Sequence, residues 1–466
     1  MATRRKASKK SHSHPPRPSP TELYALGKSL RDKCPRDSHA AWKPSSKRSS
    51  PLDLQRLSNV GRIESLIPIR NGRMLRSPFT FYRGAALNMA LDLAHSPRSG
   101  LRVQACGDAH LLNFGGFATP ERRVIFDIND LDETLPAPWE WDVKRLAASL
   151  VLACRSNGFT DRRARETVRA CVRSYREHML EYGEMRALDV WYSRIDLKDL
   201  IADLDDAEAK RRIEKRLAES RVRDVVEHDF PKLAAMRGQR PVIKDNPPLV
   251  YHPQEEDELL RRAHHAFHTY RDTLQEDRRV LLDRYELADI AVKVVGVGSV
   301  GTFCAVLLMM ARKDDPLFLQ VKEARASVLE RAAGKSKYDN HGQRVVCGYR
   351  LMQAASDIFL GWTEGLEGRH FYVRQLRDAK MSPQVELFNP LTMVQYATIC
   401  GWALSHAHAR SGQPAQIAGY MGKNDQFDRA IAKFAIAYAD QTESDYEDLK
   451  KAAQAGFLDV VMETEE

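Results

Sequence analysis

Apolar positions along this chain repeat with two different periods, and the changes of period divide it. From 77 to about 95, over VKRLAASLVLACRS (143–156) and from about 160 to 182, they recur every third or fourth residue, the spacing of a helix with one buried face. Asn157-Gly158 is the stop signal between the last two. Residues 186–288 keep a helical pattern but are densely charged and broken at Pro241 and Pro247-Pro248. Short apolar runs at 101–105 and 123–127 predict strands on either side of a polar turn.

At Asp289 the pattern changes. Residues 291–311, AVKVVGVGSVGTFCAVLLMMA, read as strand, glycine loop and strand, and LFLQVK makes a third strand near Lys322. A helix around 344–355, strands in IFLGWT and HFYVRQL, and closing helices at 392–411 and 425–453 complete the order. The pattern predicts an α+β protein with a β-rich unit at 289–378 between helical regions at 51–288 and 379–466.

No apolar run approaches the roughly 20 residues needed to span a bilayer. The seven cysteines are scattered without a CxxC pair, which argues against a disulfide framework or zinc site, and a cytoplasmic location is expected. The net charge of +9 is uneven: residues 1–50 hold 13 Lys/Arg against 3 Asp/Glu, and the other 416 residues hold 59 against 60. Rich in Lys, Arg, Ser and Pro, residues 1–50 are expected to be a disordered basic tail. Nucleic-acid contact through this tail is the lesser expectation, and no membrane partner is expected.

Candidate chemistry concentrates at 101–133. Asp108, His110, Asn113, Asp127, Asn129, Asp130, Asp132 and Glu133 fall within 26 positions, beside two apolar strands. Carboxylates gathered beside a core need a partner. Magnesium is one, because it takes few carboxylate or amide ligands and completes its shell with substrate phosphates and water. The Asp108-x-x-x-x-Asn113 spacing offers a carboxylate to accept a hydroxyl proton and an amide to hold a metal, and Asp127 ends the next strand. Gly296, Gly298 and Gly301 form a GxGxxG lying between two strands, unlike the strand-to-helix glycines of dinucleotide folds. That arrangement suits a flap over nucleotide phosphates, with Lys322 reaching their oxygens. Arg83 lies in an aromatic-rich helix entry and is expected to face an anion or a core-edge carboxylate. DINDLDE is not a calcium loop, since Leu131 takes a ligand position and the required glycine is missing. His406 and His408 are expected to pack rather than bind metal.

GDAHLLNFG followed by VIFDINDLDE resembles the catalytic and metal loops of the aminoglycoside and choline kinase branch of the protein-kinase-like superfamily. From about 77 to 455 the chain also resembles the bacterial domain-of-unknown-function family 2252, through FYRGAALNMALDLA, CGDAHLLNFG, DINDLDETLPAPWEWDVKRLAASL, DPLFLQVKEA and RLMQAASDIFLGW. The kinase resemblance implies a two-lobed fold that binds ATP and Mg2+. Asp108 would be the catalytic base, Asn113 and Asp127 the metal ligands, and Asp142 the brace of the catalytic loop. His110, Asp130 and Arg83 would support them, Gly296, Gly298, Gly301 and Lys322 would hold the phosphates, and the backbone of 374–376 would face adenine. Cys106 stands where that branch has histidine, and no glutamate to pair with Lys322 is evident. The glycine loop follows the catalytic loop instead of preceding it, so the resemblance implies a circular permutation: large-lobe parts at 51–288, small lobe at 289–378, large-lobe helices at 379–466. The expected function is phosphoryl transfer from ATP to a small-molecule hydroxyl. A non-catalytic nucleotide-binding protein and a metal-dependent phosphohydrolase are the alternatives.

Overall fold

The computed structural model describes residues 18–202, 206–222, 230–238, 240–254, 256–312, 314–376 and 380–463. The fold is α+β. Its largest sheet is antiparallel and six-stranded, and the strands outside it form short pairs. β1 (Arg102–Ala105) pairs with β4 (Leu135–Pro138), and β2 (Phe114–Ala118) with β3 (Val124–Ile128). β5 (Ala234–Arg237) and β6 (Arg240–Ile243) form a separate hairpin. β7 (Val250–Tyr251), β8 (Glu286–Lys293), β9 (Cys304–Arg312), β10 (Asp315–Glu323), β11 (Gly361–Glu364) and β12 (His370–Gln375) make the large sheet, in the order β11-β12-β10-β9-β8-β7.

The period-two alternation of this sheet decides what reaches each face. Leu317 and Leu319 of β10 join Leu307 and Met309 of β9 in one apolar cluster, closed by Tyr270, Leu282 and Phe359. On the other face Phe318 packs with Val306, Leu308, Ala234 and Ile243. Two residues and four residues beyond Phe318, the same alternation carries Gln320 and Lys322 to that second face, where Lys322 is 4% exposed. The helix His341–Met352 lies against β11 and β12 and against the helix Pro390–Ser411, joining the sheet to the helical body.

That body is built on the helices Trp139–Ser156, Asp161–Glu184, Pro390–Ser411 and Gln426–Gln454, which share one large apolar cluster. Every residue of the first of them from Trp139 to Cys154 is buried, the charged Glu140, Asp142, Lys144 and Arg145 among them. It begins at Trp139, four residues before the run at Val143, and stops at Asn157, as the Asn-Gly signal predicts.

Two expectations need correction. Residues 18–50 are not a disordered tail. A capping box between Ser19 and Glu22 starts the helix Pro20–Ser29, which packs on the helix Pro414–Met421, and a Cβ at Gly27 would stand 2.0 Å from the Gln416 carbonyl. The basic side chains that suggested disorder serve as caps. Arg31 donates to the Tyr420 (2.8 Å) and Gly419 (2.5 Å) carbonyls and Arg36 to that of Met421 (2.6 Å), at the negative end of that helix. Residues 1–17 lie outside the described residues. The second correction concerns 186–288, which contain strands β5 to β7 besides helices; β7 extends the large sheet, so the β-rich unit draws on residues before 289.

Candidate functional site

The polar turn after β1 is held by a carboxylate from the first turn of the helix Trp139–Ser156. Gly107 has φ +84°, and a Cβ there would meet the Glu133 carbonyl at 2.4 Å, so the turn requires glycine. Asp142, 1% exposed, accepts the Cys106 amide at 2.5 Å and the Gly107 amide at 2.9 Å. His408 Nε2 lies 3.1 Å from the same carboxylate, and its Nδ1 lies 2.9 Å from the Tyr175 hydroxyl. His408 therefore packs, as expected, and also holds Asp142. His406 packs with Nε2 3.3 Å from the Val190 carbonyl.

The brace fixes Asp108, whose Oδ1 takes Arg145 at 2.5 Å, while the guanidinium, 3% exposed in its side chain, lies over the Tyr82 ring. His110 Nε2 lies 3.9 Å from Asp108 Oδ2. His110 is 5% exposed, its Nδ1 has no hydrogen-bond partner, and burial pushes its pKa down to about 3, so the ring is neutral. Asn113 turns its amide nitrogen to the Asp108 carbonyl at 2.8 Å.

Among the candidate carboxylates, Asp127 sits differently from the rest. Its oxygens accept the Ile128 and Ala354 amides at 2.8 and 2.9 Å, and it is absent from the cleft lining. Burial raises its pKa to about 6. The expectation of Asp127 as a metal ligand is thus not met by its geometry, because strand β3 points it toward the turn after the helix His341–Met352. Asp130 and Asp132, just beyond the strand, do reach the cleft. Lys322 Nζ lies 2.5 Å from Asp132 and 3.9 Å from Asp130, and the Tyr372 hydroxyl donates to Asp132 at 2.5 Å. Desolvation and the charge of Asp132 raise the Asp130 carboxyl, although 34% of its side-chain surface stays accessible; desolvation acts upward on Asp132 too, but Lys322 and Tyr372 hold it well below the usual range. Lys322 thus pairs with the carboxylate loop. The helix His341–Met352 offers it no carboxylate, and Glu330 Oε1 instead stands 4.0 Å from His341.

The glycine loop joins β8 to β9. Val297 and Val300 anchor it in two small apolar clusters, and Arg62 clamps the carbonyls of Val300 (2.5 Å) and Gly298 (2.9 Å). Gly301, at φ +84°, needs its glycine. Gly296 and Gly298 do not: neither is in the left-handed region, a Cβ at Gly296 would meet nothing within 4 Å, and one at Gly298 only the Arg83 carbonyl at 3.6 Å.

Asp108, His110, Asn113, Asp130, Lys322, Arg83, Gly296 and Gly298 line one cavity of about 1450 Å³. Loops nearly two hundred residues apart in sequence thus face each other, and Ser299 donates to Asp132 at 3.4 Å across the gap. The predicted adenine edge is already engaged: the amides of Gln375 and Leu376 are bound by Asp357 and, at 2.9 Å, by the Phe318 carbonyl. Among the described residues no group of three or more His, Cys, Asp or Glu is arranged around a metal. The sequence reading gave Asp132 no role of its own and missed the side chains of Arg145, Tyr372 and Arg374, the last bonded to Gln320 (3.1 Å) and the Asn129 carbonyl (3.3 Å). The signal for Arg145 was there, as a cation at the head of the apolar helical run 146–154.

A family model described as an uncharacterized protein conserved in bacteria (DUF2252) matches residues 62–452. No curated protein and no solved structure matches the chain.

Proposed function

We propose a function for this chain, which belongs to the bacterial DUF2252 family, from its cleft: an ATP- and magnesium-dependent phosphotransferase acting on the hydroxyl of a small molecule. The observation that carries the reading is the meeting, in one cavity, of a glycine loop, a lysine and an Asp-x-x-x-x-Asn loop. The arrangement resembles that of protein kinases, where a glycine-rich loop covers the phosphates and the lysine stands on the third strand. Here the loop joins β8 to β9, and Lys322 is on β10, the third strand of that meander. The circular permutation belongs to the same proposal, since this meander follows the Asp108 loop.

Gly296 and Gly298 add a separate argument. The fold leaves room for side chains at both, so bare backbone there favours a ligand that approaches closely. Asp108 Oδ2 takes the proton of the acceptor hydroxyl, the acceptor oxygen bonds to the γ-phosphorus, and the bridging bond breaks with its electron pair on ADP. Asn113 and Asp130 fit a magnesium ion, which needs only one or two protein oxygens beside phosphates and would neutralise charge on the transferred group. Arg145 positions Asp108, and Asp142 positions the loop that carries it.

Calorimetric titration of Mg-ATP into the full chain tests the reading. Wild type should bind, Lys322→Ala and Asp130→Asn should weaken binding at least tenfold, and Asp127→Asn should not. Gly296→Ala should weaken binding while leaving the melting temperature unchanged or slightly raised, because its Cβ meets no protein atom. Absence of binding by wild type overturns the proposal. Binding without transfer to any hydroxyl in a broad acceptor panel favours the non-catalytic alternative, to which the absence of a glutamate partner for Lys322 among the described residues lends weight.

A further inference from the structure

The cleft wall beside Asp108 holds cations that lack counter-ions. Arg83, in the helix Pro78–Gly84, is partly buried, and its Nε is buried without a partner. Its guanidinium has no hydrogen bond or ion pair within the described residues; burial pushes its pKa down, and the field of Asp108 acts the other way. Its neighbours do not compensate it. Arg62 is bonded to the carbonyls of Ser58, Val300 and Gly298. Arg70, 1% exposed, is bonded to Asn59 Oδ1 and the Gly84 carbonyl, and Arg325 to the Val60 carbonyl. None of these three has a carboxylate within 4 Å among the described residues, and Arg62 and Arg325 both disfavour the charge on Arg70.

The nearby acids are already engaged. Asp108 is paired with Arg145, Glu323 with Arg369, and Glu133 accepts the Val328 amide. A desolvated cation without a partner is costly, and an anionic ligand is the partner that removes the cost. His110 gives an independent pointer: it is 5% exposed, lines the same cavity, and its Nδ1 has no partner.

We propose that the acceptor is a small hydroxylated molecule bearing a phosphate or carboxylate group, which Arg83 binds while His110 and Asp108 meet the hydroxyl. The proposal rests on the phosphotransferase reading of this cleft. It departs from the resemblance: a quaternary ammonium acceptor such as choline would meet like charge at this wall. Arg83 suits the task because a guanidinium pairs with either anion through two parallel hydrogen bonds.

The test uses the full chain, Mg2+ and the non-hydrolysable β,γ-imido analogue of ATP. The analogue is titrated first; inorganic phosphate and, separately, succinate are then titrated into analogue-saturated protein, for wild type and Arg83→Gln. At least one anion should bind the loaded wild type, and the tighter one distinguishes a phosphate from a carboxylate acceptor. Arg83→Gln should weaken that anion at least tenfold, keep the analogue's affinity within twofold, and melt close to wild type, because no hydrogen bond or ion pair to the protein is lost. Failure of both anions to bind overturns the proposal. So does a fall in analogue affinity in Arg83→Gln, which would assign Arg83 to the nucleotide. If wild type does not bind the analogue, the phosphotransferase reading fails, and the acceptor proposal with it, at a step seen before any anion is added.

Discussion

Asp127 and His110 are both buried, and acid affects them in opposite ways. The folded-state pKa of Asp127 is raised from 3.8 to about 6, so the native state binds its proton more tightly than the unfolded chain. Its ionised form destabilises the fold at neutral pH, and the penalty is relieved as pH falls through 6 toward 4. The shift corresponds to about 3 kcal/mol. His110 is depressed to about 3, so the stability of its neutral form is complete above pH 6.5 and is lost as pH falls below that. The two partly cancel in the whole protein, which is why a comparison is needed. Unfolding of wild type and Asp127→Asn, measured from pH 7.5 to 4.5, should show the difference moving in favour of wild type by about 2 kcal/mol as pH falls. A pH-independent difference would contradict an ionised Asp127 at neutral pH. Sequence alone could not separate Asp127 from Asp130. Both follow the apolar run 124–126 within four residues, and only the pairing of Asp127 with Gly115 and its bond to Ala354 decide which one faces the cleft.

At the scale of elements, the Asp108 loop depends on β1 directly before it and on two segments distant in sequence, the helix Trp139–Ser156 through Asp142 and the helix Pro390–Ser411 through His408. Removing the Asp142 carboxylate leaves the Cys106 and Gly107 amides and the His408 ring without an acceptor in a dry interior. Each buried donor left unpaired costs about 1–3 kcal/mol. Asp142→Ala should therefore lower the melting temperature by several degrees and speed amide hydrogen exchange across residues 104–113. Exchange unchanged in that segment would mean that the loop is held by other contacts. Much at this scale was legible in the sequence. The helix ends at Asn157 and Ser411, the strands on both sides of the glycine loop and Lys322 on a third strand follow from period and turn residues alone. The strands β2 and β4 were not legible, because Phe114-Gly115-Gly116 and Leu135-Pro136-Ala137-Pro138 lack strand composition and are extended by their partners β3 and β1.

Across the whole molecule, the segment 18–50 illustrates how composition misleads when charges are used pairwise. Arg48 lies 2.8 Å from Asp92 and 2.5 Å from Asp445, with both carboxylate side chains 6% exposed, so one basic residue near the start ties the helix Ala86–Leu93 to the closing one. Tyr438 adds a hydroxyl to Asp92 at 2.8 Å. Taken one residue at a time, this arginine looks like part of a solvated basic arm; its function as a counter-ion appears only when residues 44 and 397 positions away are brought to it. Breaking a buried pair by removing one partner typically costs about 3–5 kcal/mol, because the remaining charge is stranded, whereas replacing the whole set by neutral groups costs much less. Arg48→Met should therefore lower the melting temperature markedly. The triple variant Arg48→Met, Asp92→Asn, Asp445→Asn should recover at least half of that loss, although it removes three charges instead of one. If the triple variant melts below Arg48→Met, stranded carboxylates are not the source of the loss, and the segment is held by the apolar contacts of Tyr24, Leu30 and Trp42 with the helical core.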